Sequence, residues 1–414
     1  MKVTTKVALL TFAQLVVVFA LAAYKWSSST PDCLHRILLG RIRDDSSFFI
    51  ESAWRTAAAH LPIYRTLFFE QHMKFQYPTS SILLGSAAHT LGLTIYAATR
   101  AIVLLSALLT LVFAGEVFLL ALADAGTDRL ARWKLRALIW TLGFSFYPLV
   151  TGADLGQIQT LITFLFTLAV WYWMRKQTSL AAVCLAVACI FKPQLAVFLL
   201  WGVFRKQWRF VGTFVACALL TQAVAIALYG WHNELDYLAV ISYMGHRGEV
   251  AFENQSVNGW MQREFGDGLY VQTSYFAYPP YNALIYVVTV ISSALLLLFG
   301  LVVPLLRGWK SSTSDFILFG MLATMASPIA WTHHYGLFFV GFIYLIALGL
   351  RQTGRIPPFL IACFLIMANF FHGFGRWALN RGVELLFSLV LYTGLGLVWW
   401  IAFRVDHAEE AASA

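Results

Sequence analysis

An all-α polytopic integral membrane protein is the fold class the sequence predicts, and three observations carry it. Apolar residues make up 60% of the 414 positions and charged residues only 12%, a balance that an ordinary soluble fold does not tolerate. The apolar residues gather in repeated runs of about 20, the length a helix needs to cross the hydrocarbon layer. The basic residues behind the net charge of +9 fall in short clusters between those runs. That is the pattern of a topology signal, not of a nucleic-acid surface.

Taken in order, the runs predict helices over 7–26, 101–123, 137–150, 158–174, 179–191, 194–204, 210–229, 281–304, 314–331, 335–350, 357–371 and 383–403. Some are short, so about 10–12 are expected as transmembrane helices. The first run is too long for the apolar core of a signal peptide and no cleavage site follows it, so it reads as a membrane helix. Cys184, Cys189, Cys217 and Cys363 lie inside apolar runs and Cys33 stands alone in a loop, so no disulfide framework is expected. No internal repeat or soluble domain is visible. The chain reads as one transmembrane domain over 1–414, with the loops 27–80 and 230–280 forming an extracytoplasmic cap.

Sidedness follows from lysine and arginine in the short loops. One set holds Arg129, Arg132, Lys134 and Arg136 in a loop over 124–136. Arg175 with Lys176, Arg205 with Lys206 and Arg209, Arg307 with Lys310, Arg351 with Arg355, and Arg404 continue it. The loops 151–157 and 332–334 have neither residue. The basic set is therefore expected on the cytoplasmic side, with both termini. The segment 178–204 runs between two basic turns yet is too short for two full spans. A pair of half-length helices meeting at Lys192, Pro193 and Gln194, or a re-entrant hairpin, satisfies both conditions. Non-helical backbone at depth is tolerated only beside protein or a water-filled cavity, which predicts a cavity near Lys192. The stretch 80–98 is expected to be an interfacial helix, not a span.

Under this topology the polar residues converge on one face. Asp44 and Asp45 open a predicted helix in the first outer loop, where one carboxylate could cap and the other face the cavity. Asp154 and Gln157 lie in the second outer loop and Lys192 at the tip of the half-helix pair. His232, His246, Asn254, Gln255 and Asn258 belong to the large loop, where Asn254 and Gln255 could also serve only to brace it. His333 and His334 open the next outer turn, and His372 and Arg376 the last. Lys192 is the most telling of these, because a lysine between apolar runs costs about 2.5–3.5 kcal/mol to insert and needs a partner or an anion. Glu116, inside a membrane helix, is expected to pair with a neighbouring helix. A carboxylate can take a proton from an attacking hydroxyl, and Lys, Arg and His can hold a phosphate as it leaves. Group transfer from a lipid-linked phosphate is the chemistry these types permit.

Several short motifs, in order, carry a family resemblance: LPIY (61–64), QYPTS (76–80), GQIQTLITFLF (156–166), IFKPQLAVFLLWGVFRKQWR (190–209), ENQSVNG (253–259) and SPIAWTHHY (327–335). With them the chain, from about residue 44 to 350, resembles glycosyltransferase family 87, the polyprenol-phosphate-mannose-dependent mannosyltransferases of the C-type membrane fold. The resemblance implies that Asp45, with Asp44 close behind, is the catalytic base, and that Lys192, His333 and His334 bind the donor phosphate. The polar residues that the topology places on the outer face, Asp154, Gln157, Asn254, Gln255, His372 and Arg376, are expected with Tyr77 of QYPTS to line the substrate cavity. The resemblance also implies a lipid-linked donor that needs neither nucleotide nor metal, a lipid or glycan acceptor, and no nucleic-acid partner. The expected location is the bacterial cytoplasmic (inner) membrane with the site facing outward. The alternative function is a transporter or flippase of a lipid-linked or anionic substrate, which would show a second broken helix in a matching repeat; none is visible.

Overall fold

A computed structural model describes residues 3–23, 28–123, 128–266, 278–309 and 311–405. Among them the chain is helical, and strand pairing is limited to one isolated antiparallel bridge between Asn254 and Trp331. The first helix, α1 (Val3–Ala23), is followed by α2 (Thr30–Leu38), α3 (Asp45–Ala58), α4 (Leu83–Thr90) and α5 (Ile95–Leu122). Next come α6 (Arg129–Phe144), α7 (Tyr147–Asp154), α8 (Gln159–Met174), α9 (Thr178–Cys189) and α10 (Phe198–Phe204). The middle of the chain forms α11 (Trp208–Tyr229), α12 (Trp231–Arg247), α13 (Val257–Phe265), α14 (Ala283–Leu306) and α15 (Thr313–Met325). The last four are α16 (Phe338–Thr353), α17 (Pro358–Ala368), α18 (His372–Asn380) and α19 (Leu389–Arg404).

Among the described residues, six segments are long and apolar enough to cross a membrane: α1, α5, α11, α14, Thr332–Thr353 with α16, and Leu386–Arg404 with α19. Five shorter apolar helical segments accompany them, α8, α9, Pro193–Phe204, α15 and α17. The protein is an all-α polytopic membrane protein. Its centre is α16, buried at every position from Phe338 to Leu350, as befits a helix apolar on all sides. This helix packs on α5, which also holds α8, and α8 in turn packs on α9. Glu116 of α5 pairs with Arg136 of α6 at 2.7 Å, the interhelical partner expected for a charge in a span.

Proline accounts for the main departures from the predicted boundaries. The helix expected over 137–150 is two helices, because Pro148 sits in the first turn of α7, where its missing N–H is not needed. The helix expected over 314–331 stops at Met325, two residues before Ser327–Pro328. The freed segment lies beside residues 253–255: Gln255 N–H donates to the Ala330 carbonyl at 2.8 Å, and Thr332 N–H donates to the Glu253 carbonyl at 2.9 Å. The basic stretch expected as a loop over 124–136 is helical from Arg129 onward, with Asp128 capping α6. Residues 80–98 do not span: α4 has eight residues, about 12 Å of helix.

The half-helix pair is present. At 12 residues α9 is about 18 Å long, well short of a bilayer core. Lys192 is then held extended, at φ −141° and ψ 101°, as the residue before a proline prefers, and a short 3₁₀ turn (Pro193–Val197) leads into α10. Gln157 precedes α8, whose C-terminal cap is Arg175, while His333 precedes α16 and Arg351 lies in its last turn. The candidate site residues and the basic residues thus mark opposite ends of the same helices.

Candidate active site

A cavity of about 1340 Å³ opens at the end of the bundle that carries the polar residues. Its walls come from α2, α3, the extended segment 74–77, α7, the Lys192 link, α12 and residues 327–334. Several of these belong to 27–80 and 230–280; residues 267–277 of the second loop lie outside the described set.

Asp44 and Asp45 both line the cavity but differ in company. Asp44 holds the N-cap position of α3 without capping through its side chain. Instead it accepts two hydrogen bonds from the Arg100 guanidinium, at 2.7 and 2.6 Å. Among the described residues Asp45 has no salt bridge, and its Oδ2 accepts from Gln157 Nε2 at 3.1 Å. Burial raises the Asp45 carboxyl above its ordinary range, while the Gln157 hydrogen bond and the Arg43 charge pull it back.

The loop after α7 shapes this corner. Arg43 N–H donates to the Asp154 carbonyl at 2.8 Å and Asp45 N–H to the Leu155 carbonyl at 3.2 Å. Ile158 N–H donates to Ser46 Oγ at 2.8 Å. Gly156 makes the approach possible. Its φ is +66°, and a Cβ there would lie 2.0 Å from the Arg43 carbonyl oxygen. Gly156→Ala is therefore expected to push the Asp45 segment away and to destabilise the protein by about 1–3 kcal/mol, read as a lower melting temperature of the purified protein. An unchanged melting temperature would mean that residues 43–46 yield freely.

Asp154 is buried, and Arg36 holds both of its carboxylate oxygens at 2.7 and 2.6 Å. Tyr77 is buried with its hydroxyl 3.2 Å from Ser46 Oγ. Further along the cavity, Lys192 Nζ and His334 Nε2 share a hydrogen bond at 2.6 Å; when the lysine is charged it donates, and a neutral His334 then carries its proton on Nδ1. The His333 ring stands edge-on to His334, with centroids 4.7 Å apart. Lys192 belongs to the link between α9 and the 3₁₀ turn, outside the spans. Burial pushes its ammonium down to about 7, against the pull of the Glu249 carboxylate. His372 lines the cavity and bonds through Nδ1 to Glu253 at 2.6 Å. Arg376 lies on α18, with its side chain outside the described residues.

Two of the residues expected in the cavity are not brought to its wall. Asn254 and Gln255 are fully buried and lie off the cavity wall. Backbone groups occupy both amides: Asn254 Nδ2 donates to the Glu249 and Pro328 carbonyls, and its Oδ1 accepts from Ala330 N–H. Gln255 Nε2 donates to the Phe252 and Phe387 carbonyls, while its Oε1 accepts from Val390 N–H. They brace the loop against the segment that Pro328 keeps extended.

Among the cavity residues that escaped the sequence reading are Arg36, Lys74 and Glu249. Glu249 is buried between Lys74, at 2.6 Å, and the Trp331 indole N–H. Lys74 lies just before QYPTS and Glu249 just before ENQSVNG, so adjacency to the motifs was the available signal. Arg36 follows Asp32 by four residues, a spacing that reads as an ordinary surface pair. Among the described residues, no three His, Cys, Asp or Glu side chains converge to hold a metal ion.

The model of glycosyltransferase family 87 matches residues 75–328, more than half of the chain and a stretch that includes Tyr77, Gln157 and Lys192. The chain belongs to glycosyltransferase family 87. It is a membrane glycosyltransferase, and the polar cavity is its candidate active site. No curated protein and no solved structure matches it. The family match begins after Asp44 and Asp45 and stops before His333, so the cavity geometry, not the match, joins those residues to the rest.

Proposed function

We propose that this family 87 enzyme transfers a sugar, mannose in the simplest case, from a polyprenyl-phosphate donor to a hydroxyl of a lipid or glycan acceptor. The observation that supports this most is that one cavity is lined by a carboxylate without a salt bridge, Asp45, and by the hydrogen-bonded pair of Lys192 and His334. Asp45 takes the proton of the acceptor hydroxyl as its oxygen bonds to the anomeric carbon. The bond from that carbon to the phosphate oxygen breaks, and the electron pair leaves with the polyprenyl phosphate. Lys192, with His333 and His334 beside it, stabilises the added negative charge. Attack opposite the leaving phosphate inverts the anomeric centre. The donor is already activated, so the scheme invokes no nucleotide and no metal. The cavity faces outward from a bacterial cytoplasmic membrane in this reading, with 27–80 and 230–280 as its cap.

The test is transfer from radiolabelled polyprenyl-phosphate mannose by the purified protein in lipid, with mixed membrane lipids as acceptors. A labelled product supports the reading; intact donor with every acceptor mixture overturns the choice of sugar donor.

A pH dependence accompanies it. Lys192 carries its charge below about 7 and loses it as pH rises. Affinity for polyprenyl phosphate is therefore expected to fall from about pH 6 to pH 9, by up to roughly tenfold per unit above the midpoint. Lys192→Met should bind weakly and flatten the profile. Equal pH slopes in both proteins would remove Lys192 as the phosphate contact.

A further inference from the structure

Gln157 is built into the wall with its amide set between two hydroxyls and the Asp45 carboxylate. Its Oε1 lies 3.4 Å from Ser46 Oγ and 3.5 Å from the Tyr77 hydroxyl, and both groups can donate to it. Its Nε2 faces Asp45 Oδ2 at 3.1 Å. A flipped amide would set its oxygen against the carboxylate and its NH₂ against the two hydroxyls. Ser46 Oγ accepts the Ile158 N–H, so its own proton is left for Gln157 or Tyr77. Two elements therefore contact the amide oxygen, and the amide NH₂ addresses one oxygen of Asp45. Among the described residues, Oδ1 receives no hydrogen bond, and Asp45 lines the cavity.

The loop that carries Gln157 is fastened independently. Arg36 of α2 ties Asp154 at the end of α7, and the carbonyls of Asp154 and Leu155 receive the N–H groups of Arg43 and Asp45. Movement of this loop would move the backbone of Asp45 and the partner of its side chain together.

We propose that Gln157 is the positioning residue of Asp45: its amide holds Oδ2 against the wall, presents Oδ1 to the acceptor hydroxyl and favours the ionised carboxylate. The naming of Asp45 as base rests on the proposed function; the hydrogen bond and its effect on the carboxylate do not. Other charges face this site. Arg43 and Asp44 immediately precede Asp45 in sequence, Asp154 approaches from α7 with Arg36 behind it, and Arg100 of α5 is engaged by Asp44. All of them remain in a Gln157 variant, so a difference between variants reports the amide.

The experiment reads Asp45 without any sugar donor. Dicyclohexylcarbodiimide, an apolar reagent, modifies protonated carboxyl groups, and fragment mass spectrometry separates Asp44 from Asp45. Labelling of Asp45 is followed against pH in the wild type, Gln157→Ala and Gln157→Glu, with Asp45→Asn as the blank. Loss of a hydrogen bond to the ionised form favours the protonated one. In Gln157→Ala the half-labelling pH is expected to rise by about one unit, or about tenfold more label at a fixed pH above the midpoint. Gln157→Glu keeps the shape and the two acceptor contacts, so it guards against a folding defect. It sets a second carboxylate against Asp45 and should raise the midpoint further. Midpoints equal to wild type in both variants would overturn the proposal.

Transfer assays supply the second readout. A positioning role lowers kcat in Gln157→Ala with donor KM little changed. A raised KM with unchanged kcat and unchanged labelling would instead make Gln157 a donor contact and overturn the proposal. Shifted labelling in a protein that never transfers mannose would sustain the positioning role and overturn the choice of donor alone.

Discussion

Asp45→Asn is expected to fold, bind polyprenyl phosphate as the wild type does, and lose transfer by about 10²–10⁴-fold, the range for removal of a general base. The substitution is nearly isosteric, and an asparagine oxygen still accepts the Gln157 amide proton, so the wall of the cavity keeps its shape. What disappears is the group that receives the acceptor proton. The matched variant is Asp44→Asn. Asp44 is engaged by Arg100 through both oxygens, so this change weakens a tether at the start of α3 and leaves the Asp45 carboxylate in place. Its transfer should stay within about tenfold of wild type. Radiolabelled transfer and equilibrium donor binding, measured on both variants, check the pair of expectations. If the order is reversed, with Asp44→Asn dead and Asp45→Asn active, Asp44 is the base and its contact with Arg100 opens on substrate binding.

The largest loss of stability is expected at the opposite end of the bundle. Arg205 and Asp315 form an almost fully buried ion pair, with N···O distances of 2.6 and 2.9 Å. Trp201 Nε1 also donates to Asp315, and the guanidinium donates to the Gly300 and Leu301 carbonyls. The group joins α10, α14 and α15. Asp315→Ala would strand a buried cation, at a cost of about 3–5 kcal/mol. The expected result is a much reduced yield of folded protein and a lower melting temperature in detergent. Replacing both partners with apolar residues of similar volume, Arg205→Met with Asp315→Leu, should recover much of the loss, since no charge is then left unpaired. A double variant as unstable as the single one would show that the carbonyl contacts of Arg205, not the ion pair, hold these helices.

Arg205 illustrates how far sequence reading reaches. It was legible as one of the basic residues that set topology, because the positive-inside pattern is local and needs no fold. Its partner was not, since 110 residues separate it from Asp315. Asp44 and Asp45 show the same boundary. Adjacent in sequence, they read as near-equivalents, one capping and the other free. Arg100, 56 residues on, and Gln157, 112 residues on, distinguish them in the folded chain. Asn254 and Gln255, which the sequence left between lining the cavity and bracing the loop, mark the same boundary. Polar residues in an outer loop look like substrate contacts until the carbonyls that consume their amides are known.

The sequence by itself determined the class of protein, the family, the short broken helix pair and the cluster of polar residues at one end of the bundle. Each of these is written in local chemistry: apolar run length, proline position, charge in short loops, and motif order. Only the tertiary structure decided which carboxylate is tied by arginine, which amides are spent on backbone, and which unheralded residues, Arg36, Lys74 and Glu249, join the cavity. Those are questions of partnership between residues far apart in the chain. Burial makes each answer consequential, because a polar group removed from water must find its partner within the fold.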